Sequence, residues 1–85
     1  MTDVRPLQYP PSKAVLEAEA LEFYRLPQNK RRYRRLKASG ELDQAIENKV
    51  ANTQQQARSL MFSGVWENEA WNRAIRSEIL ESESD

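Results

Sequence analysis

The chain has neither cysteine nor histidine. Without cysteine there is no disulfide framework and no thiolate zinc site to hold a small core together, and nothing points to an oxidising compartment. Without histidine the commonest general base and a frequent metal ligand are missing as well. What remains is carboxylates and hydroxyls, and the hydroxyls have no neighbouring base to activate them. Glu17, Glu19 and Glu22 fall on the flank of one predicted helix. Glu41, Asp43 and Glu47 open another, where acids favour the positive end of the helix dipole. Structural roles account for both groups better than metal or acid–base chemistry does. Two isolated glycines, Gly40 and Gly64, exclude a phosphate-cradling glycine loop. The expectation is a chain that is not an enzyme and uses no metal and no cofactor.

Long apolar runs are also missing. None approaches the ~18 residues of a membrane span, and the stretch from Met1 to Pro6 offers no apolar signal segment, so a cytoplasmic location without membrane contact is expected. With 39% hydrophobic and 31% charged residues, the composition is that of a folded domain rather than a disordered one. Eighty-five residues make one domain, and a domain of that size buries only somewhat more than ~60% of its unfolded surface. The core must be thin, and a second subunit is one way to extend it.

Proline and glycine divide what is present. Pro6, Pro10 and Pro11 keep residues 1–11 extended, an arm whose anchors would be Leu7 and Tyr9. Ser12 is a good N-cap for a first helix over 12–25, which Pro27 stops. At about 100° per residue, Leu16, Ala20, Phe23 and Tyr24 gather on one side of it and Ala14, Ala18 and Leu21 on a second, shallower side. A short helix over 28–38 ends at Ser39-Gly40, with Leu26, Tyr33 and Leu36 pointing one way. The third, over 41–62, has the cleanest pattern, Leu42, Ile46, Val50, Thr53, Ala57, Leu60 and Met61, and should run ~33 Å at 1.5 Å per residue. Ser63-Gly64 precedes a last helix over 66–80, with Trp71, Ala74, Ile75 and Ile79 on one face and a Glu69–Arg73 surface pair. Alternating β-branched runs and Asn-Gly turns are lacking. The fold class expected is all-α, a small bundle of about four helices forming one domain over 12–81, with an acidic tail at 82–85.

Thirteen acids balance thirteen bases, but unevenly. From Phe23 to Gly40 there is no acid at all, and that stretch holds Lys30, Arg31, Arg32, Arg34, Arg35 and Lys37, with the four arginines expected on an arc opposite the apolar strip. Such an arc could neutralise phosphates, which makes nucleic acid a possible partner. The plainer alternative is a solvated charged face pairing with acidic neighbours, and zero net charge together with the lack of an aromatic stacking platform favours it. The acidic tail could also fold back across this helix. Ala14, Ala18, Leu21, Phe62, Trp66 and Leu80 fall off the main apolar stripes and are the candidate surface for a dimer or a protein partner. Packing on the arm, or plain exposure, is the alternative for each.

The order Tyr33-x-x-Leu36-x-x-Ser39-Gly40-x-Leu42, a long helix containing Ala57 and Leu60, then Trp71-x-Arg73-x-Ile75-Arg76-x-Glu78-Ile79 resembles the carboxyl-terminal part of small bacterial transposon-encoded proteins of the TnpV type, over about residues 30–81. The resemblance implies an accessory protein of a bacterial mobile element or phage and carries no catalytic residues. The function expected is a non-enzymatic interaction or assembly module, a homo-oligomer or one subunit of a complex. The alternative is a nucleic-acid-binding accessory protein using the basic helix.

Overall fold

Helix signals in the sequence translate directly into structure: the computed structural model, which describes residues 9–80, is all-α, with no strand among the described residues. Its elements are α1 (Lys13–Tyr24), a 3-10 turn (Pro27–Asn29), α2 (Lys30–Ser39), α3 (Leu42–Phe62), α4 (Glu67–Ile75) and a π-helical turn (Arg76–Leu80) that prolongs α4. Leu7 and the acidic tail lie outside the described residues.

Each boundary has a local cause. The Ser12 hydroxyl accepts a hydrogen bond from the Val15 amide at 3.2 Å, capping α1 as expected. At the other end the carbonyl of Phe23 accepts only a long bond from the Leu26 amide, at 3.3 Å, and the buried Asn29 adds its side-chain amide as a second donor at 2.7 Å. Asn29 is thereby spent on α1. Residues 27–29 form a 3-10 turn, and α2 begins at Lys30, later than expected. Leu26, forced extended ahead of Pro27, is 40% exposed and does not join Tyr33 and Leu36 on the apolar side of α2.

Both α2 and α3 end in the same glycine motif. Gly40 has φ +78°, with Glu41 donating to the Leu36 carbonyl at 2.9 Å; Gly64 has φ +105°, with Val65 donating to the Leu60 carbonyl at 3.0 Å. Neither glycine has another group close to where a side chain would start, so only the backbone conformation selects glycine there.

α3 is the spine, packing against α4 along much of its length and against α1 and the π-helical turn. The molecule measures 40 × 33 × 21 Å, and 21 Å is about two helix diameters. The core is one continuous cluster, a seam where α1, α3, α4 and the π-helical turn meet. Leu16, Ala20, Phe23 and Tyr24 enter from α1, Val50, Thr53 and Ala57 from α3, Ala70, Trp71, Ala74 and Ile75 from α4, and Ile79 from the π-helical turn. Most of these are the positions the helical spacing predicts.

Two members of the seam were not predicted, Ala70 and Lys49. Lys49 is only 4% exposed, and its ammonium lies 4.7 Å from the Phe23 ring centroid and 5.4 Å from that of Tyr24 while donating to the Glu78 carbonyl at 3.3 Å. It joins α1, α3 and the π-helical turn at one point.

Three substitutions have distinct expected outcomes in chemical denaturation. Lys49→Met, which keeps the length without the charge, should shift stability by no more than ~2 kcal/mol, whereas Lys49→Glu should cost more than ~3 kcal/mol by placing an anion against ring faces and a carbonyl. Gly64→Ala should cost ~1–2 kcal/mol from the left-handed backbone alone.

Candidate interaction surfaces

Three surface features lie outside the seam, and each is set by which side of a helix the core leaves free. The first is the outer face of α2. Tyr33 and Leu36 pack against the core from its inner side, leaving Lys30, Arg31, Arg34, Arg35 and Lys37 exposed. Arg32, expected on the same arc, is instead half-buried and already engaged in a contact. Lys37 lies 5.5 Å from the Tyr33 ring centroid. Among the described residues no carboxylate forms an ion pair with Lys30, Arg31, Arg34 or Arg35.

This arrangement works against the helix that carries it. Lys30, Arg31 and Arg32 occupy the first turn, where the dipole is positive and no acid is present. Arg31 repels Arg34 and Arg35 at helical spacing, an effect of a few tenths of a kcal/mol per pair. Nothing in the packing of α2 requires three guanidinium groups on its wet side.

The second feature is a groove of about 420 Å³ between α1 and α3. Ala14, Ala18, Leu21 and Ile46 supply its apolar lining, and Glu17, Asp43 and Glu47 its acidic lining. Ala14 and Ala18 are exposed and Leu21 half-buried. Glu17 forms a 4.0 Å ion pair with Lys13, whose side chains are about half exposed and which is worth little. Asp43 and Glu47 form no ion pair among the described residues. Sequence patterning identified the small apolar side of α1 and, separately, the acids opening α3. Only the packing brings them to one groove; the spacing of Asp43 and Glu47, four apart on one helix face, was the available hint.

The third feature is the corner where α3 passes into α4. Phe62, the last residue of α3, is 96% exposed, and Trp66, just before α4, is 81% exposed. A groove of about 600 Å³ lined by Gln55, Arg58, Ser59 and Met61 opens beside Phe62. Another of about 620 Å³ opens beside Trp66, lined by Asn68, Asn72, Arg76 and the Glu69–Arg73 ion pair. Tyr9 marks where the arm reaches this side, its hydroxyl donating to the Asn72 side-chain carbonyl at 3.1 Å. Trp71, by contrast, is buried, and its indole N–H has no hydrogen-bond partner. Leu80, at the end of the π-helical turn, is 47% exposed and stands apart from the corner in sequence.

Among the described residues no group of three acids sits close enough to hold a metal ion, and no helix is long and apolar enough to cross a membrane. No family model, no curated protein and no solved structure matches the chain.

The electrostatic conflict on α2 has a measurable sign. In dilute solution at ~50 mM salt, Arg31→Glu should raise stability by ~0.3–1 kcal/mol, because it places an acid at the positive helix end and removes two repulsions. Urea denaturation should show that gain shrinking as salt is added.

Proposed function

We propose that this chain is a non-enzymatic assembly module, an accessory protein of a bacterial mobile element or phage, which associates with copies of itself through the Phe62–Trp66 corner. The observation that carries the reading is the exposure of these two aromatics in a chain short of buried apolar surface. Leaving a phenylalanine in water forgoes ~1.5–3 kcal/mol, a sizeable fraction of the stability of so small a domain. The likeness of residues 30–81 to transposon-encoded accessory proteins supports the setting.

The magnitudes fix what kind of contact this is. At ~200 Å² per aromatic, two from each of two copies hide ~800 Å², below the ~1,200 Å² at which stable interfaces begin. Met61 and the half-buried Leu60 and Val65 flank the corner and add to it. The contact is weak and reversible, suited to assembly at high local concentration.

A second reading, phosphate binding by α2, is favoured by the arginine arc that no carboxylate neutralises within the described residues. Four phosphate contacts, from Lys30, Arg31, Arg34 and Arg35, would give a slope of about −3.6 in log K against log salt on a duplex. Zero net charge and the lack of a stacking platform leave it second.

Sedimentation at ~500 mM salt, where surface charge is screened to ~4–5 Å, tests the corner in isolation. The wild type at millimolar concentration should exceed the 9.9 kDa of one chain. Phe62→Ser with Trp66→Ser should be monomeric with an unchanged far-UV spectrum. A wild type that remains monomeric under those conditions rules out the corner as an assembly surface.

A further inference from the structure

We propose that the arginine arc of α2 in one copy seats in the acid-lined α1–α3 groove of a second copy. The inference rests on the reading of the chain as a self-associating module, but uses surfaces separate from the aromatic corner and of opposite physics.

The two surfaces match in charge, spacing and shape. Arg31 and Arg35 are four residues apart on one exposed helix face; Asp43 and Glu47 are four residues apart on another. Each pair repels itself, and neither is relieved by an ion pair among the described residues. Laid along each other, two helices with equal spacing bring both guanidinium groups opposite both carboxylates at once, in the geometry where arginine donates two bonds to one acid. Glu17 on the α1 side of the groove is available to Arg34, since its contact with Lys13 is long and wet.

Shape supports the same pairing. Ala38 lies within the arc, flanked by Arg34 and Arg35 at helical spacing, and is exposed. Ala14 and Ala18 are the exposed part of the groove's apolar lining. Alanine against alanine lets the helices approach closely, while the aliphatic stems of the arginines cover Leu21 and Ile46 and their charged heads reach the acids.

The pairing cannot close within one chain. α2 turns Tyr33 and Leu36 toward the core, so its arginine arc points away from the α3 of its own protomer. Among the described residues Arg31, Arg34 and Arg35 meet no carboxylate, and Asp43 and Glu47 meet no cation. Equal numbers of acids and bases in the whole chain leave no net charge to oppose the approach of two copies. A polyanion, by contrast, would meet thirteen carboxylates along with the arc.

The test is a charge swap followed by sedimentation or light scattering at ~50 mM salt, with circular dichroism to confirm folding. The wild type should associate at low salt and lose at least tenfold in association constant by ~500 mM. Arg31→Glu with Arg35→Glu, and separately Asp43→Lys with Glu47→Lys, should each abolish that salt-sensitive association. An equimolar mixture of the two variants should restore it, because the arc intact in one meets the groove intact in the other. If the lysine variant fails to fold, Asp43→Asn with Glu47→Gln should weaken association about tenfold while keeping the helical spectrum.

The salt-sensitive step should survive Phe62→Ser with Trp66→Ser, which separates failure of the corner from failure of this interface. Two folded reversal variants that remain monomeric when mixed would overturn the proposal, as would a wild type whose mass at low salt equals its mass at high salt. Binding of a labelled oligonucleotide at ~50 mM salt, lost in Arg31→Glu with Arg35→Glu while the protein stays monomeric, would also overturn it and assign the arc to phosphates.

Discussion

A single buried ammonium organises this fold. Lys49 would cost several kcal/mol in an apolar seam if its charge were not compensated, so the elements around it must supply that compensation together. Phe23 and Tyr24 present ring faces from α1, the Glu78 carbonyl points in from the π-helical turn, and the stem of the lysine runs out of α3. The Phe23 and Tyr24 rings meet edge to face with centroids 5.7 Å apart, which sets the angle at which they receive the cation. Through these contacts Lys49 ties α1, α3 and the π-helical turn to one point. A small domain with one seam can thereby behave as a single cooperative unit although its apolar content is modest.

The seam was largely legible in the sequence because it rests on spacing within single helices. Leu16, Ala20, Phe23 and Tyr24 share one side of α1; Val50, Thr53 and Ala57 share one side of α3; Trp71, Ala74 and Ile75 share one side of α4. Ser12, Gly40 and Gly64 set boundaries through local hydrogen bonding, which is equally local information. What escaped depends on partners far away in sequence. Lys49 reads as surface until Phe23, Tyr24 and Glu78 are placed around it. Asn29 falls inside the helix expected over 28–38, yet its amide is given to the Phe23 carbonyl in the preceding turn. Leu26 reads as a third member of an apolar strip until Pro27 turns it outward.

Of the candidate surface, the wet cations of α2 and the exposure of Phe62 and Trp66 could be anticipated, since residues off a stripe have nothing to bury them. The meeting of Ala14 and Ala18 with Asp43 and Glu47 could not, because no single-helix pattern says which helices lie side by side. Arg32 shows the limit from the other direction: it shares a basic run with Arg31 and Arg34, yet sits on the flank of α2 that turns toward the protein. A run of like residues is one feature in sequence and two in space. Local stability and charge placement diverge most sharply in this run, and such divergence marks segments whose composition is governed by something other than folding.

Two residues of the same type serve contrasting roles here. Trp71 is buried in the core with its indole N–H unsatisfied, while Trp66 stands in water beside the α3–α4 turn. Their emission must therefore differ in colour, the enclosed indole blue and the hydrated one red. The protein carries two built-in optical gauges, one reading the integrity of the seam and the other reading whatever covers the corner, without any attached dye.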